Sequence, residues 1–74
     1  MNIKKRIIKI LKSTLNEENI DETISQKNSS KWDSLKHLTI IVEIETEFDI
    51  EFEPDEIENM TDYSKIEQYI NAKI

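Results

Sequence analysis

The chain has no cysteine, no glycine and a single proline among its 74 residues. Without cysteine there is no disulfide framework, no zinc–thiolate site and no thiol nucleophile. Without glycine there is no phosphate-binding P-loop, no dinucleotide fingerprint and no G-x-S-x-G nucleophile elbow. Each of those needs backbone that only glycine permits. No apolar run approaches the ~20 residues that span a bilayer. The basic N-terminal stretch lacks the apolar core of a signal peptide, because Lys9 and Lys12 interrupt it. The expected address is therefore the cytoplasm. At this length the expectation is one domain, 1–74, that buries roughly 60% of its unfolded surface and has no room for an internal cleft.

What the chain does have is charge, unevenly placed. The net charge is -6. Lys4, Lys5, Arg6, Lys9 and Lys12 crowd the beginning, and nine carboxylates crowd residues 43–58. Such an acidic half repels nucleic-acid backbones and favours basic protein partners. The lysine stripe is short and carries no interleaved aromatics. Its expected role is solubility and pairing with the acidic half, rather than binding nucleic acid or membrane.

Apolar residues recur at helical spacing. Ile3, Ile7, Ile10 and Leu11 predict a helix over 3–15. Residues 16–32 are polar and aperiodic, and read as a long loop anchored by Ile20, Ile24 and Trp32. Asp33 is placed to cap a second helix that runs to Phe48. In that helix Ile40, Ile41, Ile44 and Phe48 form one stripe, and Leu35, Leu38 and Val42 form another, rotated from it. The second stripe is the candidate exposed surface. Residues 49–53 alternate polar and apolar but have no strand to pair with, so an extended connector is expected. Pro54 suits the first position of a short helix over 55–60. Thr61 or Asp62 would cap a last helix containing Tyr63, Ile66 and Ile70. Ile7, Ile41, Ile44, Phe48, Phe52, Ile66 and Ile70 are the expected core.

Ser34 is the most informative residue, because it stands at the start of the second helix. Three residues along is His37, which with Asp33 suggests a hydrolytic triad. Asp33 is poorly placed to reach the far side of that imidazole, and no oxyanion donors are evident. His37 reads instead as a solvated residue of the helix surface. Carboxylates at alternate positions over 49–53 lack the turn glycine and closing glutamate of a calcium loop, so no metal site is expected. Ser34 thus reads as a serine that is modified rather than one that attacks.

Asp33-Ser34-Leu35, followed by Leu38, Ile40, Ile41, Ile44-Glu45, Glu47-Phe48, Phe52, Ile57, Met60-Thr61 and Tyr69-Ile70, resembles an acyl carrier protein. The resemblance runs from about Trp32 to Ile70 and is looser over the first helix and loop. Lys31 stands where the family usually has glycine, and Ser30 where it usually has an apolar residue. Trp32 is the candidate to supply that burial. The resemblance implies an all-α, four-helix carrier fold of the free-standing type, three longer helices and one short one, with a long first loop. It implies 4'-phosphopantetheine on Ser34, attached by a phosphopantetheinyl transferase that reads Asp33. It also implies a non-enzymatic, monomeric carrier of thioester-linked acyl groups, delivered to acyl-transferring or acyl-activating enzymes with basic docking patches. Leu35, Leu38 and Val42 would make apolar docking contacts, and Glu43, Glu45 and Glu47 would steer the encounter. An aminoacyl or peptidyl carrier and an unmodified four-helix adaptor are the competing readings, and the cargo is not legible.

Overall fold

In a computed structural model, which describes residues 2–74, the chain folds into four helices: α1 (Ile3–Leu15), α2 (Ser34–Phe48), α3 (Pro54–Asn59) and α4 (Tyr63–Lys73). No strand forms among the described residues, so the fold is all-α as the periodicity implied. One isolated antiparallel bridge joins Ser25 to Asp62. The long first loop and the extended connector at 49–53 lie where the sequence placed them.

Each helix begins for a local reason. Asn2, Asp33 and Asp62 cap α1, α2 and α4, their side chains accepting from the amides of Lys5, Lys36 and Lys65. These bonds satisfy donors that a helix start otherwise leaves open. Helix α3 starts with Pro54 and a reciprocal box, in which the Glu56 side chain accepts from the Glu53 amide at 2.7 Å. The helix ends show how a chain without glycine turns a corner. Asn16 and Asp49 close α1 and α2 in the left-handed region, at φ 52° and 55°. Asn and Asp are the side chains that tolerate this conformation best after glycine.

The core is one cluster. Ile7, Leu11 and Leu15 of α1 meet Ile40, Ile41 and Ile44 of α2 and Tyr63, Ile66 and Ile70 of α4. Ile20, Trp32, Phe52 and Met60 complete it from the loops. Helix α1 packs chiefly on α2 and also on α4. Helix α3 has no fully buried residue. Phe48 departs from expectation, being half-buried at the edge of the core. The Arg6 guanidinium sits 4.3 Å from its ring centroid, and that contact replaces part of the apolar burial.

The first loop is fixed by its own polar side chains. Asp21 accepts from the amide and hydroxyl of Thr23. Asn28 bonds Thr23 and Ser25, closing a turn. Backbone bonds from Gln26 to Thr61 (2.8 Å) and from Tyr63 to Ile24 (3.0 Å) then dock the loop onto the start of α4.

Two outcomes follow from this packing. Ile44→Ala should cost about 2–5 kcal/mol in denaturant unfolding and Val42→Ala under about 0.5, with Phe48→Ala well short of the ~3–5 of a fully buried phenylalanine. Glu56 titrates below the usual carboxylate range, first because of the Glu53 amide and then because of Lys73. A carboxylate with a lowered folded value stabilises fully above its unfolded value, about 4.3. Its contribution is lost as pH falls from there through the lowered value. The protection factors of the α3 amides, that is, exchange corrected for its intrinsic pH dependence, should therefore fall on acidification through that window, and Glu56→Gln should abolish the step.

Candidate functional site

Ser34 is the first residue of α2 and is exposed. Its position is set by Asp33, whose backbone is extended (φ -97°, ψ -174°) and whose carboxylate accepts from the Lys36 amide at 2.8 Å. The Asp33 carbonyl takes the His37 amide, also at 2.8 Å. The first-turn amides of Ser34 and Leu35 remain for an anion. They lie where the partial positive charge of the helix end is largest.

Residue 32 is anchored from below. Trp32 is buried, and its indole N–H donates to Nδ1 of His37 at 3.1 Å. The two rings stack with centroids 6.1 Å apart. Nε2 of His37 lies 2.7 Å from the carbonyl oxygen of Ile57 in α3. His37 is therefore buried, not a solvated surface residue as the sequence suggested; only 9% of it is exposed. Both ring nitrogens are engaged, which leaves neither to take a proton from Ser34. The triad arrangement is absent. Sequence reasoning missed His37 because a histidine on a helix reads as surface until its partners are known. The available signal is its spacing of five from Trp32, an apolar anchor of the loop.

Beyond Ser34, Leu35, Leu38 and Val42 stand 77%, 55% and 57% exposed. Their i, i+3, i+7 spacing makes one strip along α2. Thr39 and Thr46 share that face, and their hydroxyls bond back to the carbonyls of Leu35 and Val42. Those bonds occupy the hydroxyls and leave the methyl groups to extend the apolar strip.

The three carboxylates expected beside the strip have separate duties. Glu45 turns toward the connector, where its side chain accepts from the Phe52 amide at 2.9 Å. Glu47 holds α1, with Arg6 Nε 2.7 Å from its carboxylate and the same guanidinium 2.9 Å from its carbonyl oxygen. Glu43 is exposed, one helical turn before Glu47. Reversing Glu47 would break a tether between helices, so its charge is not that of an idle surface position. The basic residues divide likewise. Lys4 pairs with Glu22 and Arg6 with Glu47, while Lys5, Lys9 and Lys12 remain exposed. An open groove of ≈ 720 Å³ between α1 and residues 20–22 includes these lysines and Ile8 but not Ser34. Lys31 reaches back to the Asn16 carbonyl at 3.0 Å and to Glu17.

Among the described residues no group of three or more His, Asp or Glu side chains is placed to hold a metal ion, and no helix is long and apolar enough to cross a membrane. No protein-family model matches the chain, and no curated protein matches it.

The cap at Asp33 is testable alone. Asp33→Ala should lower stability by about 1 kcal/mol, and Asp33→Asn, which keeps an acceptor, should lower it much less. Thermal unfolding of the two variants checks the order.

Proposed function

We propose that this chain is an acyl carrier protein whose working residue is Ser34. The observation that carries the reading is the setting of that serine. It is exposed at a capped helix start, beside an exposed apolar strip, with no general base within the histidine geometry around it. On this reading the chain is not an enzyme. A 4'-phosphopantetheine arm on Ser34 would supply a thiol that holds acyl cargo as a thioester.

The residues fit such a group. A phosphodiester on Ser34 would meet the free amides of the first turn, a setting that favours an anion by about 0.3–1 kcal/mol. Asp33 keeps those amides in place by holding the helix start. Leu35, Leu38 and Val42 offer apolar contact to a transferase or an acyl-handling enzyme. Glu43 flanks the strip and steers partners that carry basic patches. Glu45 and Glu47 add to the same field while tied to the connector and to α1.

Intact mass after incubation with coenzyme A and a broad-specificity transferase tests the reading. One phosphopantetheine should be added, and none to Ser34→Ala with its helical content unchanged. Addition to the alanine variant would refute the assignment of Ser34. No addition to the wild type would favour an unmodified interaction module. Glu43→Lys should slow modification, with the gap closing as salt rises, because exposed charges are screened beyond ~8 Å near physiological ionic strength. Loaded mass from cells separates acyl from aminoacyl cargo.

A further inference from the structure

Helix α3 is six residues long and has no fully buried residue, so its position rests on few bonds. An isolated helix of this length does not persist in water. Its own capping box closes its start, and the pair from Lys73 to Glu56, 3.1 Å, ties it to α4. The His37 ring ties it to α2 through the Ile57 carbonyl, beside the packing of the Ile57 side chain against the core.

The chemistry of the two partners of His37 fixes the proton. An indole N–H can only donate, so Nδ1 of His37 must be the unprotonated acceptor. Nε2 then carries the hydrogen and donates to Ile57. Neutral imidazole in the Nε2–H form satisfies both bonds at once. The other neutral tautomer would set two N–H groups against each other at Trp32 and two acceptors against each other at Ile57. The ring is also locked in orientation by stacking on Trp32.

We propose that His37 is a positioning residue that couples α3 to the presentation of Ser34. Through Nδ1 it holds Trp32, the residue before Asp33-Ser34. Through Nε2 it holds α3. Anything that displaces α3 loosens the start of α2, and anything that fixes the start of α2 seats α3. The importance of the coupling for modification rests on the reading of Ser34 given above; the coupling itself does not.

Three variants separate the two arms. His37→Asn keeps an acceptor near the Nδ1 position for Trp32 and loses the donor to Ile57. His37→Gln keeps a donor near the Nε2 position and loses the Trp32 acceptor. His37→Phe keeps the ring and loses both. The readouts on the unmodified protein are imidazole nitrogen chemical shifts, exchange of the Trp32 indole proton, and amide exchange in α3 and at 34–37. Wild-type His37 should be the Nε2–H tautomer near neutral pH. His37→Phe should speed exchange at least tenfold at both ends. His37→Asn should speed it chiefly in α3, and His37→Gln chiefly at Trp32, with a smaller rise at the opposite end in each.

The kinetic arm uses coenzyme A and the transferase. His37→Phe should lower kcat/KM for modification several-fold, with partial rescue in His37→Asn. An Nδ1–H tautomer or an imidazolium in the wild type would overturn the proposal. So would a disturbance in His37→Phe confined to one end, or unchanged modification kinetics in a protein whose wild type is modified. If the wild type accepts no phosphopantetheine, the reading of Ser34 fails instead. Tautomer and exchange then decide the coupling on their own.

Discussion

Hydrophobic packing holds α1, α2 and α4, and Ile20, Trp32, Phe52 and Met60 anchor the segments between them to the same core. A chain of this size buries too small a fraction of its surface to enclose every segment. The remaining parts are α3, the first loop and the connector. Beyond those apolar anchors, they are seated by side chains that bond to backbone: Asn28 within the loop, Glu45 on the connector, His37 on α3, Lys31 on the end of α1. Each such bond is worth only about 0.5–1.5 kcal/mol net, yet leaving the backbone group unmet when buried costs about 1–3. The polar residues around Ser34 are thus structural members. Those that are solvent-exposed and uncommitted, such as Glu43 and the strip of Leu35, Leu38 and Val42, are the ones at liberty to meet a partner.

The absence of glycine shapes the same regions. Helices α1 and α2 each end on a left-handed Asn or Asp, and the segment ahead of Ser34 is built without glycine. Lys31 occupies a place where glycine would give freedom of backbone, and its side chain ties that place to the end of α1. Trp32 sinks into the core and bonds His37. Rigidity of the approach to α2 is therefore achieved by side-chain anchoring on both sides of the turn.

Helix positions, caps and most of the core were legible because they follow local rules. Apolar spacing marks α1, α2 and α4, Pro54 marks α3, and Asp33 and Asp62 mark their own helices. Val42 and Leu35 were legible as exposed because they fall on the face opposite Ile40 and Ile44. What was not legible depends on contacts between distant segments. Phe48 reads as core by spacing, but Arg6, 42 positions earlier, covers it instead. Glu45 and Glu47 read as a solvated acidic face, but a connector amide and an arginine claim them. His37 reads as surface, but an indole and a carbonyl 20 residues away enclose it. A period of 3.6 identifies which face of a helix is buried; it carries no information about what polar partner waits at the edge of that face.

On the proposed reading, the electrostatics at Ser34 bear on how an attached arm would behave. The helix end attracts its phosphodiester by about 0.3–1 kcal/mol. Asp33, the residue before it, carries a like charge that opposes this attraction in part. The phosphate would then be held less firmly at the helix start than the helix end alone would hold it. An arm so attached stays free to swing, which a carrier requires if one cargo is to enter several active sites. Asp33 cannot be exchanged for a neutral cap without altering that balance, because the group that closes the helix is the same one that offsets its attraction for the arm. The negative charge at position 33 therefore has a second consequence beyond capping. On the same reading it would loosen the tether, while the ring of His37 holds residue 32 on one side and α3 on the other.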